Sequence, residues 1–158
     1  MAKGLVVVDA WKVLYRHDVK DHPTLQDEVA SFGKFLNQVC KIERDKGTQI
    51  IHSASHRLMH GGIMDEIEVF SEDRVMGEDG NTTWAELRES IDELYWCGFH
   101  FGRCIHEQAR IAVGNDAKIV TNLSLLFPVD SWKEMFASWP TFNYYLWSQN
   151  GFEEVNIS

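Results

Sequence analysis

The chain has 158 residues, 44% of them apolar and 25% charged, which is typical of one globular domain. Its formal net charge of −9 and its lack of a basic cluster argue against nucleic acid or an anionic membrane as a partner, so we expect a small-molecule substrate or a protein partner. The three cysteines have no metal-knuckle spacing, so we expect free thiols. The sequence shows no signal-peptide pattern and no apolar run of membrane length, which predicts a cytoplasmic protein with no membrane partner.

The first predicted strand is the β-branched run Gly4 to Trp11, GLVVVDAW. Such a run is typical of a central parallel strand covered on both faces. Its apolar part ends at Asp9, whose carboxylate would lie at the carboxyl tip of the strand, where open α/β sheets bind their ligands. Asp9 is therefore a candidate acid or base, although a carboxylate at this position could also simply cap a loop.

A long amphipathic helix is predicted next, opening around Pro23 with Thr24 as its cap and stopping at Gly47. The segment Gln49 to Ser53, QIIHS, predicts the second strand. The glycine-rich stretch after it is predicted to be mostly loop, with one short strand at Ile67 to Phe70.

The sequence from Glu93 to Ala112, ELYWCGFHFGRCIHEQARIA, predicts a strand, a tight turn and a helix. The apolar run Leu94 to Cys97 would meet the turn at Gly98, and the helix would start at Cys104. Backbone N–H groups and the dipole in the first turn of a helix stabilise an anion, so a cysteine there can form a nucleophilic thiolate. The alternative is that Cys104 is a small packing residue, as most free cysteines are.

The flanking segments complete an alternating pattern. A capping box, Thr83 to Glu86, predicts a helix before this strand, and further strands are predicted at Lys118 to Thr121 and Phe152 to Ile157. Residues 1–158 are thus predicted to form one α/β domain of three layers, with a mostly parallel, Rossmann-like sheet between helices. The aromatic-rich segment interrupted at Pro140 is a predicted core or subunit interface and suggests a homo-oligomer.

The placement of Asp9 and Cys104 resembles that of the isochorismatase-like cysteine hydrolases, which include nicotinamidases and other amidases. LVVVDAW is similar to the family's strand ending in a catalytic aspartate, and GFHFGRCI has Gly98 six residues before the cysteine, as in the family's second signature. The resemblance covers most of the chain. It implies an isochorismatase-like fold and hydrolysis of a small amide, with Cys104 as the nucleophile and Asp9 as the proton acceptor.

The sequence departs from this family at the third catalytic residue, a lysine expected near Met76. No lysine occurs between Lys46 and Lys118. The possible replacements are Lys12, Arg74 and His100. Without the lysine, the resemblance implies either a slow hydrolase or a catalytically inactive relative that serves as a binding or oligomerising module.

The resemblance also implies a set of substrate-binding and metal-binding residues. The predicted substrate-binding residues are Trp11, Phe99, His100 and Arg103, with backbone N–H groups at Arg103 and Cys104 as oxyanion donors. Nicotinamidases hold a metal by an Asp-x-His and a later His. Here His56 and His60 stand at a similar place, but Ala54 replaces the aspartate. A zinc site here would need a further ligand, which could be His52, water or another acid such as Asp65. The alternative is that His56 and His60 are solvated loop histidines and that no cofactor is required.

Overall fold

The computed structural model describes residues 2–12, 20–21, 23–53, 62–76, 83–99, 104–113, 118–125 and 153–155. The strands are β1 (Lys3–Val8), β2 (Gln49–Ser53), β3 (Arg74–Met76), β4 (Glu93–Phe99), β5 (Lys118–Leu125) and β6 (Glu153–Val155). The helices are α1 (Pro23–Asp45), α2 (Trp84–Ser90) and α3 (Cys104–Val113). Within the described ranges, no helix has the length and hydrophobicity needed to cross a membrane.

The six strands form one sheet in the order β3-β2-β1-β4-β5-β6, and every neighbouring pair is parallel. The chain builds outward from β1 to β3 on one side and then returns to start β4 on the other side of β1. The strand order therefore reverses between β1 and β4. In open α/β sheets this reversal opens a crevice at the carboxyl ends of the two strands.

Apolar side chains from alternate positions of the strands form two cores, one on each face of the sheet. On the face covered by α1, the buried residues include Leu5, Val7, Ile50, Cys97, Phe99, Val29, Leu36 and Cys40. On the face covered by α2 and α3, they include Val6, Val8, Ile51, Trp96, Leu87, Ile105 and Ala109. The predicted three-layer α/β architecture with helices on both faces is confirmed.

Gly98 lies inside β4, so the tight turn predicted there is wrong. Its Cα is paired with Val8 of β1, and its φ is +107°. A Cβ at this position would lie 2.4 Å from the Val8 carbonyl oxygen and 2.8 Å from the Val8 nitrogen. Glycine is thus required by the close approach of β1 and by a backbone conformation that other residues rarely adopt.

Two smaller predictions also need correction. The strand predicted at Ile67 to Phe70 is absent from that described segment, and the next strand is β3, three residues long. A turn in which the Asp73 N–H donates to the Phe70 carbonyl oxygen at 3.0 Å precedes β3. The first helix begins at Pro23, which lacks the N–H that a first turn leaves unpaired, so Thr24 lies within the helix and does not cap it.

Other boundaries follow the predicted pattern closely. The Thr83 hydroxyl accepts from the Glu86 N–H at 3.2 Å, and the Glu86 carboxylate accepts from the Thr83 N–H at 3.1 Å, which confirms the capping box. The strand predicted from Lys118 extends to Leu125, and β6 lies within the last predicted strand. The aromatic segment around Pro140 lies outside the described residues, so the homo-oligomer stays a prediction.

A buried ionic network joins α1 to the edge of the sheet formed by β2 and β3. Arg44 binds Asp73 through two hydrogen bonds of 3.0 and 2.5 Å, and the His52 ring Nε2 lies 3.0 Å from the same carboxylate. Burial alone would raise the pKa of Asp73, but the hydrogen bonds from His52 and Arg44 outweigh it and lower that pKa far below its usual value. The network fixes the segment that leads into β3.

Candidate functional site

Asp9 occupies a strained position at the carboxyl tip of β1. Among the non-glycine residues that the structure describes, it is the one with a positive φ, at +58°. Its N–H donates to the Ser53 carbonyl oxygen at 2.8 Å, and the residue is only 2% exposed. Aspartate tolerates this left-handed conformation better than most residues, and such backbone strain is concentrated at functional sites.

Cys104 is the first residue of α3 and differs from the other two cysteines in its exposure. Cys40 and Cys97 are fully buried, whereas Cys104 is partly exposed and packs at the margin of the core beneath α2 and α3. Burial raises the pKa of Cys40 to about 12 and that of Cys97 well above its ordinary value. Of the three thiols, Cys104 is therefore the one suited to react with a molecule in solution.

The topology brings Asp9 and Cys104 to the same edge of the sheet. Val8 is paired with Gly98, so the ends of β1 and β4 are level with each other. Asp9 comes directly after β1, and α3 begins five residues after Phe99, the last residue of β4. Both residues therefore flank the point where the strand order reverses. Their catalytic roles stay predictions.

Ser53, which the sequence analysis did not single out, connects the surroundings of both residues. Its carbonyl oxygen accepts from the Asp9 N–H and from the Trp11 indole Nε1 at 3.3 Å. Its hydroxyl donates to Gln108 Oε1, also at 3.3 Å. Gln108 lies four residues after Cys104, on the same face of α3. The sequence did contain a signal for Ser53, which is a polar residue at the end of a buried strand, at the same edge of the sheet as Asp9.

Trp11 holds a second segment of the chain against the tip of β1. It forms an isolated antiparallel bridge with Ile63, and the Lys12 N–H donates to the Gly62 carbonyl oxygen at 2.9 Å. The Trp11 side chain is 6% exposed and its indole N–H is directed to Ser53. Trp11 thus packs beside Ser53 at the tip of β1, and its contact with a substrate stays a prediction.

The remaining predicted substrate-binding residues differ in their position. The Phe99 side chain is fully buried and packs edge-to-face on Phe32 of α1, with 5.2 Å between ring centroids. His100 and Arg103 lie outside the described residues. The backbone N–H of Cys104 belongs to the first turn of α3, and its role as an oxyanion donor stays a prediction.

Two of the three candidates for the missing lysine, Lys12 and Arg74, lie within the described residues. The Lys12 ammonium lies 3.2 Å from the Asp65 carboxylate in a largely exposed ion pair. Arg74 lies on the exposed edge strand β3, two residues before its carboxyl end. That end is formed by Met76, which is paired with Ser53 and buried. Met76 is the one described residue of the segment from Met76 to Glu78, where the resemblance calls for a lysine, and His100 lies outside the described residues.

The described residues do not fit a metal site. They contain no group of three or more His, Cys, Asp or Glu side chains that could hold a metal ion. His52 is buried and bound to Asp73, and Asp65 is paired with Lys12. The predicted ligands His56 and His60 lie outside the described residues, so zinc binding by them stays a prediction.

Comparison with known proteins identifies the fold. No protein-family model matches the chain, and no curated protein matches it. Among solved structures, it is similar to the pyrazinamidase of Pyrococcus horikoshii in complex with zinc, with 12% identity, a TM-score of 0.65 and coverage of 99% of this chain and 100% of that chain. It is also similar to N-carbamoylsarcosine amidase from Thermoplasma acidophilum, with 17% identity, a TM-score of 0.61 and coverage of 99% and 96%.

A third similar structure is an isochorismatase family protein from Desulfovibrio vulgaris subsp. vulgaris str. Hildenborough, with 16% identity and a TM-score of 0.65. The match covers 98% of this chain and 94% of that chain. These near-complete alignments show that the chain has the isochorismatase-like fold, as its sequence predicts. At such identities the similarity establishes the fold and leaves the activity to be argued from the site.

Proposed function

We propose that this chain, which has the isochorismatase-like fold, is a cysteine hydrolase that cleaves the C–N bond of a small amide. Cys104 is the nucleophile and Asp9 the proton acceptor. The observation that carries the proposal is the position of these residues, which follow the neighbouring strands β1 and β4 where the strand order reverses. The amidases among the similar structures support the substrate class.

The proposed reaction has two halves. Asp9 accepts the thiol proton of Cys104, and the sulfur attacks the amide carbonyl carbon to form a tetrahedral intermediate. When the C–N bond breaks, the leaving amine takes the proton from Asp9, and a thioester remains on Cys104. A water molecule then gives a proton to Asp9 and attacks the thioester, which releases the carboxylic acid and returns the proton to the sulfur.

The start of α3 can stabilise both anions of this reaction, the thiolate and the oxyanion. The first turn of a helix has N–H groups without helical partners and the positive end of the helix dipole, so it stabilises a thiolate at Cys104. The Cys104 N–H, in the same turn, is the proposed donor to the oxyanion of the tetrahedral intermediate. No lysine occurs between Lys46 and Lys118, and the Lys12 ammonium is paired with Asp65, so we expect slow turnover.

A second candidate function is a catalytically inactive module that binds a ligand or assembles into an oligomer in the cytoplasm. The observation that favours it is Met76, a buried apolar residue at the end of β3, paired with Ser53. An apolar side chain there can stabilise neither a carboxylate nor an oxyanion. This candidate keeps the fold and the stability of the chain but has no amide turnover.

Amide turnover by cysteine variants separates the two candidates. The purified chain is incubated with pyrazinamide and N-carbamoylsarcosine, and ammonia release is measured together with a mass spectrum of the protein. The hydrolase proposal requires turnover that is lost in Cys104→Ala and retained in Cys40→Ala, the matched control at a buried thiol. Turnover unaffected by Cys104→Ala contradicts it, and a folded chain with no turnover of any amide favours the inactive module.

A further inference from the structure

The contacts around Ser53 assign a role to a pair of residues outside the proposed reaction. Ser53 ends β2, and Gln108 lies on α3, which follows β4. In the sheet, β1 stands between β2 and β4. Helix α3 packs against both β4 and β1, so a contact from α3 to β2 reaches past β1. The hydrogen bond from the Ser53 hydroxyl to Gln108 Oε1 therefore crosses near the tip of β1, which Asp9 follows.

Ser53 is bound to both sides of the candidate site at once. Its carbonyl oxygen accepts from the Asp9 N–H at 2.8 Å, which fixes the strained backbone of that residue. Its hydroxyl holds Gln108, whose side chain lies on the face of α3 that also carries Cys104, one helical turn earlier. One buried residue thus joins the backbone of the proton acceptor to the helix of the nucleophile.

The chemistry of the surroundings indicates that this contact is specific. Ser53 is 1% exposed, and the neighbouring buried residues at this end of the sheet are the apolar Val8, Ile51, Met76 and Ile105. A buried hydroxyl costs stability unless it has a hydrogen-bond partner. Gln108 supplies that partner.

We propose that Ser53 and Gln108 are positioning residues that hold the start of α3 in place relative to the tip of β1, and so set Cys104 against Asp9. This inference rests on the proposed function for its catalytic consequence. Its structural part concerns the placement of α3 and does not depend on turnover. Neither side chain takes part in proton transfer or in bond cleavage.

The test uses Ser53→Ala, Gln108→Met and the double variant in the full chain. The rate at which iodoacetamide alkylates Cys104 at neutral pH is measured by peptide mass spectrometry, because it needs no substrate. We expect each single variant to lower this rate by about threefold to tenfold, the range of one neutral hydrogen bond. The double variant should be no slower than the slower single variant, because both changes remove the same contact.

A matched control is Gln49→Met, which removes a similar hydrogen bond, from Gln49 Nε2 to the Glu72 carbonyl oxygen at 2.7 Å, at the amino end of β2. It should leave the alkylation rate unchanged. Where an amide is turned over, kcat should fall in the Ser53 and Gln108 variants with KM unchanged, and Gln108→Glu, which keeps the acceptor oxygen, should restore part of it.

An alkylation rate that is unchanged or higher in both single variants overturns the proposal, even if their melting temperatures fall. Additive effects in the double variant also overturn it. Failure of the proposed function has a different signature, which is a lack of amide turnover in the unaltered chain. In that case the alkylation rates alone decide the role of the pair.

Discussion

Val8 and Gly98 are paired across the centre of the sheet, and the Val8 backbone occupies the space that a side chain at position 98 would need. Val8 is the last residue of β1 and directly precedes Asp9, and Gly98 directly precedes Phe99, the last residue of β4. The pair therefore aligns the carboxyl ends of the two strands. A change at this pair should therefore affect both the stability of the sheet and the geometry of the candidate site.

Gly98→Ala is expected to destabilise the protein by more than about 2 kcal/mol, because it combines a positive φ with a backbone collision. Gly47→Ala is the matched control. Gly47 has a φ of +90° but no atom within 4 Å of its added Cβ, so only the conformational cost of about 1 kcal/mol applies. Urea unfolding measures both, and equal losses would contradict the role given to Val8.

The ionic network at the β2–β3 edge is a second place where a single substitution should strongly lower the stability of the protein. Asp73→Asn leaves the buried Arg44 guanidinium without its counter-charge, and we expect a loss of about 3 to 5 kcal/mol in the free energy of unfolding. The control is Glu68→Gln, which breaks the exposed Lys41–Glu68 pair and should cost less than about 1 kcal/mol. A loss at Asp73 no larger than at Glu68 would show that the network adds little.

His106 gives the stability a pH dependence of known sign. Burial lowers the pKa of His106 to about 4, from an ordinary value of 6.5. As the pH falls from 6.5 towards 4, the unfolded chain binds a proton that the folded chain does not, so stability is lost across this window. The full loss in the free energy of unfolding is on the order of 3 kcal/mol.

The variant His106→Leu should flatten the pH dependence in this window, measured as the urea unfolding free energy at pH 7, 5.5 and 4.5. Asp73 should affect the stability of the protein at lower pH than His106 does. Its pKa is depressed, so the stability it contributes is present above the ordinary pKa of about 3.9 and is lost below it. A slope between pH 6.5 and 4 that is identical in the His106 variant would contradict the assignment.

The three thiols should differ in their reaction with iodoacetamide. In the native protein we expect alkylation at Cys104 alone, because Cys40 and Cys97 are fully buried and burial raises their pKa values. In urea all three should be modified at comparable rates. Peptide mass spectrometry distinguishes them, and native alkylation at Cys40 before Cys104 would contradict the described core.

The sequence alone predicts the parts of this fold that depend on local signals. The β-branched run of β1, the apolar face of α1 and the capping box at Thr83 each lie within one segment, and each is confirmed. The family resemblance, carried by Asp9 and Cys104, correctly predicts the isochorismatase-like fold. These successes share a cause, since the pattern needed for each is complete within about one element.

The errors arise where a distant contact determines the structure. Gly98 resembles a turn glycine in the sequence, but its requirement comes from Val8, which lies on another strand. β3 is too short to show a strand period, and Ile67, in the segment predicted as a strand, is buried against the α1 core without strand pairing. The Ser53–Gln108 contact joins residues 55 positions apart, so no local pattern marks it.

Amide turnover by Asp9→Asn, Cys104→Ala and the double variant tests the central claim most directly. If the two residues act together at one site, each single variant should lose roughly a hundredfold or more in kcat, and the double variant should be no slower than the slower single one. An Asp9→Asn protein that is folded and keeps the turnover of the unaltered chain would contradict the claim.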